Sequence, residues 1–300
     1  MDFYKYHGLG NDYLVMHPLD WKQPITPEAV RLICDRHRGI GADGIMWGPL
    51  PGLSGSYDQP APGPEDNDPR PAVRILNPDG SEGEKSGNGL RIFASHLWQL
   101  GMATQSPFEL RTPGGLVAAE VLNEPGDRLS MEMGQVTFNS EKIPVKGAAR
   151  DVLNERWEVN GEQLTLSCAS IGNPHCVVQS PNPTPEQAHA LGPHLENHPA
   201  FPNRSNVQFM AVIDPHTIRI EIWERGAGYT QASGSSSCAA AAVAVKLGLV
   251  SSPVRVLLAG GELEVHLNEA FSARLVGDVA SVGSGRFSDA FLQQAKLERA

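Results

Sequence analysis

The sequence predicts an α+β protein made of two related halves, because two separate segments of the chain recur in the same order. Ser86 and Ser233, 147 residues apart, each precede a glycine and a helix-like apolar run, and the alignment around them has no gap. Asn11 and Asn173, 162 residues apart, each follow a glycine. Alternating apolar segments, typical of strands, make up most of the rest. Such a recurring order indicates an internal duplication.

The duplication predicts where a functional site would lie. We expect halves of 1–125 with about 277–300 and of 126–276, packed about a pseudo-twofold axis with a cleft between them. The loops that carry Ser86 and Ser233 would then approach one ligand from two sides. The first-turn N–H groups of the helix after each serine favour an anion such as a carboxylate. The alternative is that both serines are only helix N-caps, for which serine is a favoured residue.

The composition is that of a folded protein and argues against two classes of partner. The chain has 300 residues, which favours two domains, and 40% of them are hydrophobic while 19% are charged. The net charge of −10 argues against binding to nucleic acid or to an anionic membrane surface. We expect neither a signal peptide nor a transmembrane helix. Four cysteines in 300 residues are not a disulfide framework, so we expect the cytoplasm as the compartment.

Local signals place the elements of the first half. Thr26 followed by Pro27 marks a helix start, because threonine caps well and proline fits the first helical position. Proline, glycine, aspartate and serine dominate 51–71, which predicts a surface loop or insertion. We expect the half to end near the turn sequence Asn123-Glu-Pro-Gly126. The predicted strands are two within 3–16 and others at 45–47, 73–76, 108–121 and 129–138, and the predicted helices are 27–34 and 89–100.

The second half repeats this arrangement. Thr184 and Pro185 mark a helix that Gly192-Pro193 should stop near residue 191, because proline breaks a helix interior. The run 238–245 is nearly all small and apolar, so its helix should be enclosed by sheet. The predicted strands are 164–169, 176–179, 206–212, 217–223, a hairpin of 254–258 with 263–267, and 277–283 rejoining the first half. The predicted helices are 185–191, 235–247 and 289–298.

Three further patterns have plain structural explanations. Gly39-x-Gly41-x-x-Gly44 matches a dinucleotide fingerprint, but a helix precedes it and a strand follows, which is the reverse of the required order. His189, His194 and His198 lie in and just beyond one helix, where a solvated helix end explains them better than a metal site. Neither repeated serine lies in the G-x-S-x-G sequence of a serine hydrolase.

Several motifs resemble the diaminopimelate epimerase family, within a broader group of cofactor-independent amino-acid racemases of the same fold. They follow the family order along nearly the whole chain. They are His7-Gly-Leu-Gly-Asn-Asp-Tyr13, Arg38-Gly-Ile-Gly-Ala-Asp-Gly44, Asn77-Pro-Asp-Gly-Ser-Glu82, Ser86-Gly-Asn-Gly-Leu-Arg91, Gly172-Asn-Pro-His-Cys176, Asn206 and Glu224-Arg-Gly-Ala-Gly228.

The resemblance implies both a fold and a set of residue roles. The fold has two pseudo-symmetric halves, each a barrel-like, mostly antiparallel sheet around a central helix, with the extreme C-terminus packed on the first half. The residues implied to bind the distal amino-carboxylate end of a substrate are Asn11, Asn77, Asn173, Asn206, Glu224 and Arg225. Those implied to grip the reacting carboxylate are Gly87, Asn88, Gly234 and Ser235, and His175 and Glu224 would lie near the catalytic pair.

The chain departs from the family at the two acid–base positions, which the resemblance places at Ser86 and Ser233 although the family has cysteines there. A thiol has a pKa of ~8.5, whereas a hydroxyl is a far weaker acid. A serine acting as a base therefore needs a relay, for which His175 and Glu224 are candidates. Cys176 and Cys238 are poorly placed to substitute. Three explanations stay open: a natural serine variant, an engineered double replacement, or a binding cleft that has lost catalysis.

The resemblance implies an isomerase that interconverts LL- and meso-diaminopimelate by two-base proton transfer, without pyridoxal phosphate or metal, in lysine and peptidoglycan precursor synthesis. The first alternative is a racemase of another amino acid, and the second is a catalytically impaired or binding-only homologue. The expected partner is a small amino-acid substrate. A homodimer is left open.

Overall fold

The computed structural model describes residues 1–50, 53, 68–83 and 86–300. They form two compact units, a first unit of Met1–Met131 with Asp278–Ala300 and a second unit of Glu132–Gly277. The segment Asn123-Glu-Pro-Gly126, near which we expected the first half to end, is the turn between two paired strands. The first unit therefore continues into the strand beyond this turn. The loop expected over 51–71 lies almost entirely outside the described residues.

The first part of the chain is a series of short strands interrupted by two helices. In chain order its elements are β1 (Phe3–Gly8), β2 (Asn11–Met16), α1 (Pro27–Cys34), β3 (Ile45–Leu50), β4 (Ala72–Leu76), β5 (Glu82–Gly83), α2 (Gly87–Gln99), β6 (Phe108–Thr112), β7 (Gly115–Val121) and β8 (Arg128–Gln135). The predicted strand region 108–121 is a hairpin of β6 and β7.

The remainder of the chain begins with one extra strand, repeats this order, and then adds one strand and one helix. Its elements are β9 (Glu155–Val159), β10 (Glu162–Ser170), β11 (Pro174–Gln179), α3 (Pro185–Glu196), β12 (Asn206–Asp214), β13 (Thr217–Glu224), β14 (Gly228–Thr230), α4 (Gly234–Lys246), β15 (Val254–Leu258), β16 (Gly261–Leu267), β17 (Ser272–Asp278), β18 (Ala280–Gly285) and α5 (Asp289–Ala295). No helix in the described part of the chain is long and apolar enough to cross a membrane.

Both units have the same strand order, which confirms the predicted α+β duplication. In the first unit the neighbours run β18–β1–β2–β3–β4–β6–β7–β8, and β5 pairs with β4. In the second they run β9–β10–β11–β12–β13–β15–β16–β17, and β14 pairs with β13. Each of these sheets is antiparallel except at two equivalent places, β2–β3 with β4–β6 and β11–β12 with β13–β15.

The strand register reproduces the two separations seen in the sequence. Ile75 pairs with Gly83 in the first unit, and Ile222 pairs with Thr230 in the second. The residue numbers of both partners therefore differ by 147 between the two pairs. Leu14 pairs with Ile45 and Cys176 with Val207, so both partners move by 162 residues. The duplicated segments therefore occupy equivalent positions on equivalent strands, and a residue in one unit has an identifiable counterpart in the other.

The central helix of each unit is buried, and that of the second unit is apolar on nearly every side. Residues 236–244 of α4 are all buried, and this helix contacts β10, β11, β12, β13, β15 and β16. Four successive alanines, 239–242, allow the strands to approach closely. Residues 88–97 of α2 are likewise buried. A helix that is apolar all round is expected inside a core, and this confirms the prediction for 238–245.

The C-terminal residues complete the first unit, as the resemblance implied. Strand β18 pairs with β1, and α5 packs against α1. The Asp2 carboxylate accepts hydrogen bonds from the Arg299 guanidinium and from the Phe287 N–H, and the adjacent guanidinium helps to lower the pKa of Asp2. The Ala300 N–H donates to the Asp20 carbonyl. The last residues therefore hold the first ones by charge-assisted hydrogen bonds, which are the stronger kind.

The prediction that Gly192-Pro193 stops the third helix is wrong, since α3 continues to Glu196. Ala188, Leu191 and Leu195 are buried in the core of the second unit, and this tertiary packing outweighs the loss of one helical hydrogen bond at Pro193. The absence of a side chain at Gly192 lets the helix rest against Trp223, because a Cβ there would lie 2.5 Å from the Trp223 Cγ.

Gly192→Ala should therefore destabilise the protein, by about 1–3 kcal/mol, although alanine favours helices over glycine by about 1 kcal/mol. The free energy of unfolding in urea measures the change. His194→Ala, at an exposed position of the same helix, is the matched control and should stay within about 0.5 kcal/mol of the parent. A stabilised Gly192→Ala variant would show that the close packing on Trp223 does not constrain this helix.

Candidate active site

In the first unit, Ser86 is held at the N-terminus of α2 by contacts on two sides. Its backbone is extended, with φ −141° and ψ 112°, and its Oγ accepts the Gly89 N–H at 3.0 Å. The Tyr13 hydroxyl lies 3.0 Å from the same Oγ, across 73 residues of sequence. Ser86 is therefore an N-cap, as the plainer explanation expected, and it also contacts a phenol. The residue is partly buried.

Two asparagines of the first unit bind each other beside this helix end. The Asn88 Nδ2 donates to the Asn11 Oδ1 at 3.2 Å, and the Asn11 Nδ2 donates to the Asp43 carboxylate at 2.9 Å. Arg91, which is fully buried, donates to the Asn88 Oδ1 at 2.8 Å. The chain thus fixes both amides in one orientation. Asn77 lies at the end of β4, where its Nδ2 donates to the Ser81 Oγ at 2.9 Å.

In the second unit, Ser233 occupies the counterpart of Ser86. Its Oγ accepts the Ser236 N–H at 3.5 Å, and its carbonyl accepts the Ser237 hydroxyl at 2.8 Å. The Ser233 hydroxyl also hydrogen-bonds the Glu224 carboxyl, at the end of β13. Burial raises the pKa of Glu224, and the bond from Ser233 offsets part of that rise. A carboxyl with a raised pKa next to a hydroxyl is an arrangement suited to proton transfer.

His175 is fully buried and neutral. Burial, with the nearby Arg225 charge, lowers its pKa to about 3. The Gln208 Nε2 lies 3.1 Å from the His175 Nδ1 and can only donate, so Nδ1 is the acceptor. The proton is then on Nε2, which donates to the Asn173 Oδ1 at 3.0 Å. Of the two relay candidates, Glu224 bonds Ser233, whereas the ring of His175 bonds Asn173 and Gln208.

Gln208 links His175 to the start of α4, since its Nε2 also donates to the Ser236 Oγ at 3.0 Å. The sequence motifs did not single out Gln208. Its only sequence signal is its place on β12, two residues beyond Asn206 and so on the same face of the strand.

The loop that carries Arg225 is built around a buried carboxylate. Glu196 accepts the Gly226 N–H at 2.9 Å, the Trp223 Nε1–H at 2.8 Å and the Arg204 guanidinium at 2.9 Å. Asn206 accepts the Arg225 N–H at 3.0 Å and donates to the Pro174 carbonyl at 2.9 Å, so it joins two loops of the second unit. The Arg225 side chain is exposed and donates to the Asn203 carbonyl at 2.9 Å.

The four cysteines occupy buried positions that differ from those of the two serines. All four are free and buried. Cys176 pairs with Cys168 across β10 and β11, as expected for a residue inside a strand pair, and burial raises the pKa of Cys168 well above that of a free thiol. Cys238 lies inside α4, whose surroundings are apolar. Neither Cys176 nor Cys238 is placed to take over from Ser233.

The other patterns of the sequence analysis have structural roles. Residues 39–44 form a turn between α1 and β3, in which Gly41 has φ +75°. His189 packs against Tyr229 and Trp223, and His198 packs against Trp157 and Phe201.

Comparison with known proteins places the chain among epimerases. The sequence model described as diaminopimelate epimerase matches residues 3–139 and 167–282. "Diaminopimelate epimerase 2" of Nostoc sp. is 47% identical over 288 residues, which cover 96% of each chain. The diaminopimelate epimerase of Moorella thermoacetica is 38% identical over 269 residues, covering 89% of this chain and 91% of the relative.

Solved structures of low sequence identity have the same fold. A hydroxyproline epimerase from Agrobacterium vitis has a TM-score of 0.64 at 17% identity, with 94% of this chain and 89% of that chain covered. A probable proline racemase from Agrobacterium radiobacter has a TM-score of 0.65 at 18% identity, and the match covers 98% of this chain and 94% of that chain. These similarities support the assignment of an α+β fold with two pseudo-symmetric halves.

Proposed function

The chain belongs to the diaminopimelate epimerase family and is an isomerase of that type, and we propose that it interconverts LL- and meso-diaminopimelate. The observation that supports this most is the 47% identity over 96% of the chain to a protein named for that activity. We further propose that Ser86 and Ser233 occupy the two acid–base positions and that no pyridoxal phosphate or metal takes part. The product would feed lysine and peptidoglycan precursor synthesis.

The duplicated helix ends supply what the first part of the reaction needs. Removal of an α-proton places negative charge on the substrate carboxylate, and N–H groups at a helix N-terminus stabilise such charge. Gly87 and Asn88 begin α2, and Gly234 and Ser235 begin α4. We propose that the α-carboxylate binds to these N–H groups. Inversion then requires one group to remove the α-proton and a second group to deliver a proton to the opposite face.

Serine needs help as an acid or base, because an aliphatic hydroxyl is a far weaker acid than a thiol, whose pKa is ~8.5. Each unit of pKa corresponds to about 1.36 kcal/mol. Glu224 supplies such help in the second unit, since its carboxylate can accept the Ser233 proton as Ser233 accepts one from the substrate. In that step the α C–H bond and the original Ser233 O–H bond break, a new O–H bond forms on Ser233 and another on Glu224, and the electron pair of the C–H bond stays on the substrate.

The exposed guanidinium of Arg225 suits the distal end of the substrate. Diaminopimelate carries a second amino-carboxylate, and an arginine can bind a carboxylate by two parallel, charge-assisted hydrogen bonds. Asn206 and Glu196 hold the backbone of the Arg225 loop, and the guanidinium, one N–H of which donates to the Asn203 carbonyl, has further N–H groups that can donate to a ligand. We propose that Asn11, Asn77 and Asn173 complete this recognition.

The second candidate is a binding protein of the same specificity without turnover, which the serines at both acid–base positions favour. Proton NMR in D₂O separates the two functions. An epimerase exchanges the α-proton of meso-diaminopimelate for deuterium and produces the LL isomer, whereas a binding protein perturbs the ligand signals without exchange. A panel of other amino acids in the same assay tests the racemase alternative.

Replacing both serines by cysteine, Ser86→Cys with Ser233→Cys, should raise the rate of α-proton exchange at least tenfold, because the thiol is the stronger acid. Proton NMR in D₂O measures the rate. Ser95→Cys and Ser237→Cys, at buried positions of the same two helices, are matched controls and should give no gain. A folded double variant with an unchanged exchange rate would contradict the assignment of these two positions.

Glu224→Gln should lower kcat and remove the acidic limb of the pH profile of kcat/KM. The raised pKa keeps Glu224 protonated to a higher pH than a free glutamic acid, so the parent rate should rise with pH through a limb above 4.5, where the carboxylate forms. Glu221→Gln, on the same strand and hydrogen-bonded by Tyr229, is the control and should retain the limb. A limb that persists in Glu224→Gln belongs to another group.

Arg225→Ala should raise KM for diaminopimelate at least tenfold and change that for alanine much less, because only the first ligand has a distal carboxylate. Steady-state exchange rates for both amino acids give the comparison. Arg219→Ala removes an exposed arginine of β13, the strand that precedes the Arg225 loop, and should affect neither KM. Equal losses for the two amino acids would exclude Arg225 from recognition of the distal end.

A further inference from the structure

The Tyr13–Ser86 contact is the feature of the first unit that the family motifs do not explain. The tyrosine is only 7% exposed, and its hydroxyl lies 3.0 Å from the Ser86 Oγ, within the range of an O–H···O hydrogen bond. Either oxygen can be the donor. The Ser86 Oγ also accepts the Gly89 N–H, and this hydrogen bond fixes the position of the Ser86 side chain on α2 independently of the phenol.

The tyrosine ring is also held in place. It lies on β2, which runs parallel to β3. Gly44, just before β3, has no side chain where the ring passes, since a Cβ there would lie 2.6 Å from the Tyr13 Cε1 and 2.7 Å from the Leu76 carbonyl oxygen. The contact between the two hydroxyls is therefore set by backbone packing on one side and by a helix cap on the other.

We propose that Tyr13 is a positioning residue that acts through Ser86, supplying the proton that Ser86 passes to the substrate carbanion. This proposal rests on the proposed function. When Ser86 donates, its O–H bond breaks and a C–H bond forms at the α-carbon. The Tyr13 O–H bond breaks at the same time, its proton restores the Ser86 hydroxyl, and the negative charge moves from the carbanion to the phenolate oxygen. The reverse sequence removes an α-proton, so atoms and charge balance in both directions.

The acidities of the three groups show why the phenol matters. A phenol has a pKa of ~10, within about two units of a thiol, whereas an aliphatic hydroxyl is several units weaker as an acid. With Tyr13 as the ultimate proton source, the first unit regains most of the acidity that a serine lacks.

The two units solve this problem with different groups. By the 162-residue correspondence, the counterpart of Tyr13 is His175, whose ring bonds Asn173 and Gln208. In the second unit the partner of the serine is Glu224, whose counterpart by the 147-residue correspondence is Asn77. The first unit therefore pairs its serine with a phenol and the second pairs its serine with a carboxyl.

Tyr13→Phe removes only the hydroxyl and should lower the exchange rate at least tenfold with little change in KM. In a Ser86→Ala background the same substitution should have no further effect, because the phenol acts through the serine. In a Ser86→Cys background its effect should shrink to less than threefold, because a thiol needs no relay. Tyr6→Phe is the matched control: Tyr6 is the cross-strand partner of Tyr13 and is also buried, but its hydroxyl contacts His96.

Full activity of folded Tyr13→Phe would overturn the proposal. It would also be overturned if the double variant Tyr13→Phe with Ser86→Ala lost activity by the product of the two single losses. A second measurement does not depend on turnover. The thiol introduced by Ser86→Cys is titrated by its ultraviolet absorbance, with the four buried cysteines subtracted using the parent protein. Addition of Tyr13→Phe should raise the thiol pKa by about one unit, because the thiolate loses a donor. An unchanged thiol pKa would overturn the link between the two hydroxyls, whereas a parent protein without exchange would overturn the proposed function and the proton transfer that rests on it.

Discussion

Burial of a whole helix inside each sheet is the constraint on which the rest of the structure depends. Residues 88–97 of α2 and 236–244 of α4 are buried, and the first-turn N–H groups at the N-terminal end of each helix have no partner within the helix. Ser86 and Ser233 satisfy one such N–H each, and the remaining first-turn groups need an anionic partner or water. The strands around each helix then determine which side chains meet that end. The same packing requirement thus places polar side chains beside the N-terminus of each central helix.

The two units share a duplicated backbone, but the polar side chains beside their serines have diverged. Registers that repeat at fixed separations show that the backbone has been retained in both units. The side chains at equivalent places differ in charge and in proton affinity, as Tyr13 differs from His175 and Asn77 from Glu224. A reaction that inverts a stereocentre needs two groups with opposite tasks at any moment. Two units with the same backbone and different partners for their serines are consistent with that need.

Much of the fold could be predicted because it depends on local pattern. The recurrence of Ser-Gly and Gly-Asn indicated the duplication, and Thr-Pro pairs located the starts of α1 and α3. The continuation of α3 past Pro193 could not be predicted, because it depends on contact between Gly192 and Trp223, which lie on different elements. The roles of Gln208 and Glu196 were missed for the same reason. Tyr13 lay inside a recognised motif, but its partner lies 73 residues away and only the folded chain brings them together.

The closure of the first unit by the last residues has a consequence for synthesis on the ribosome. The second unit is one continuous stretch, Glu132–Gly277, and can fold as soon as it emerges. The first unit must wait for β18 and for Arg299, the second residue from the end, before β1 gains its outer neighbour and Asp2 its counter-charge. Until then the edge of β1 is open to pairing with another nascent chain. Strand β1 is thus made before the rest of its unit and is among the last strands to be secured.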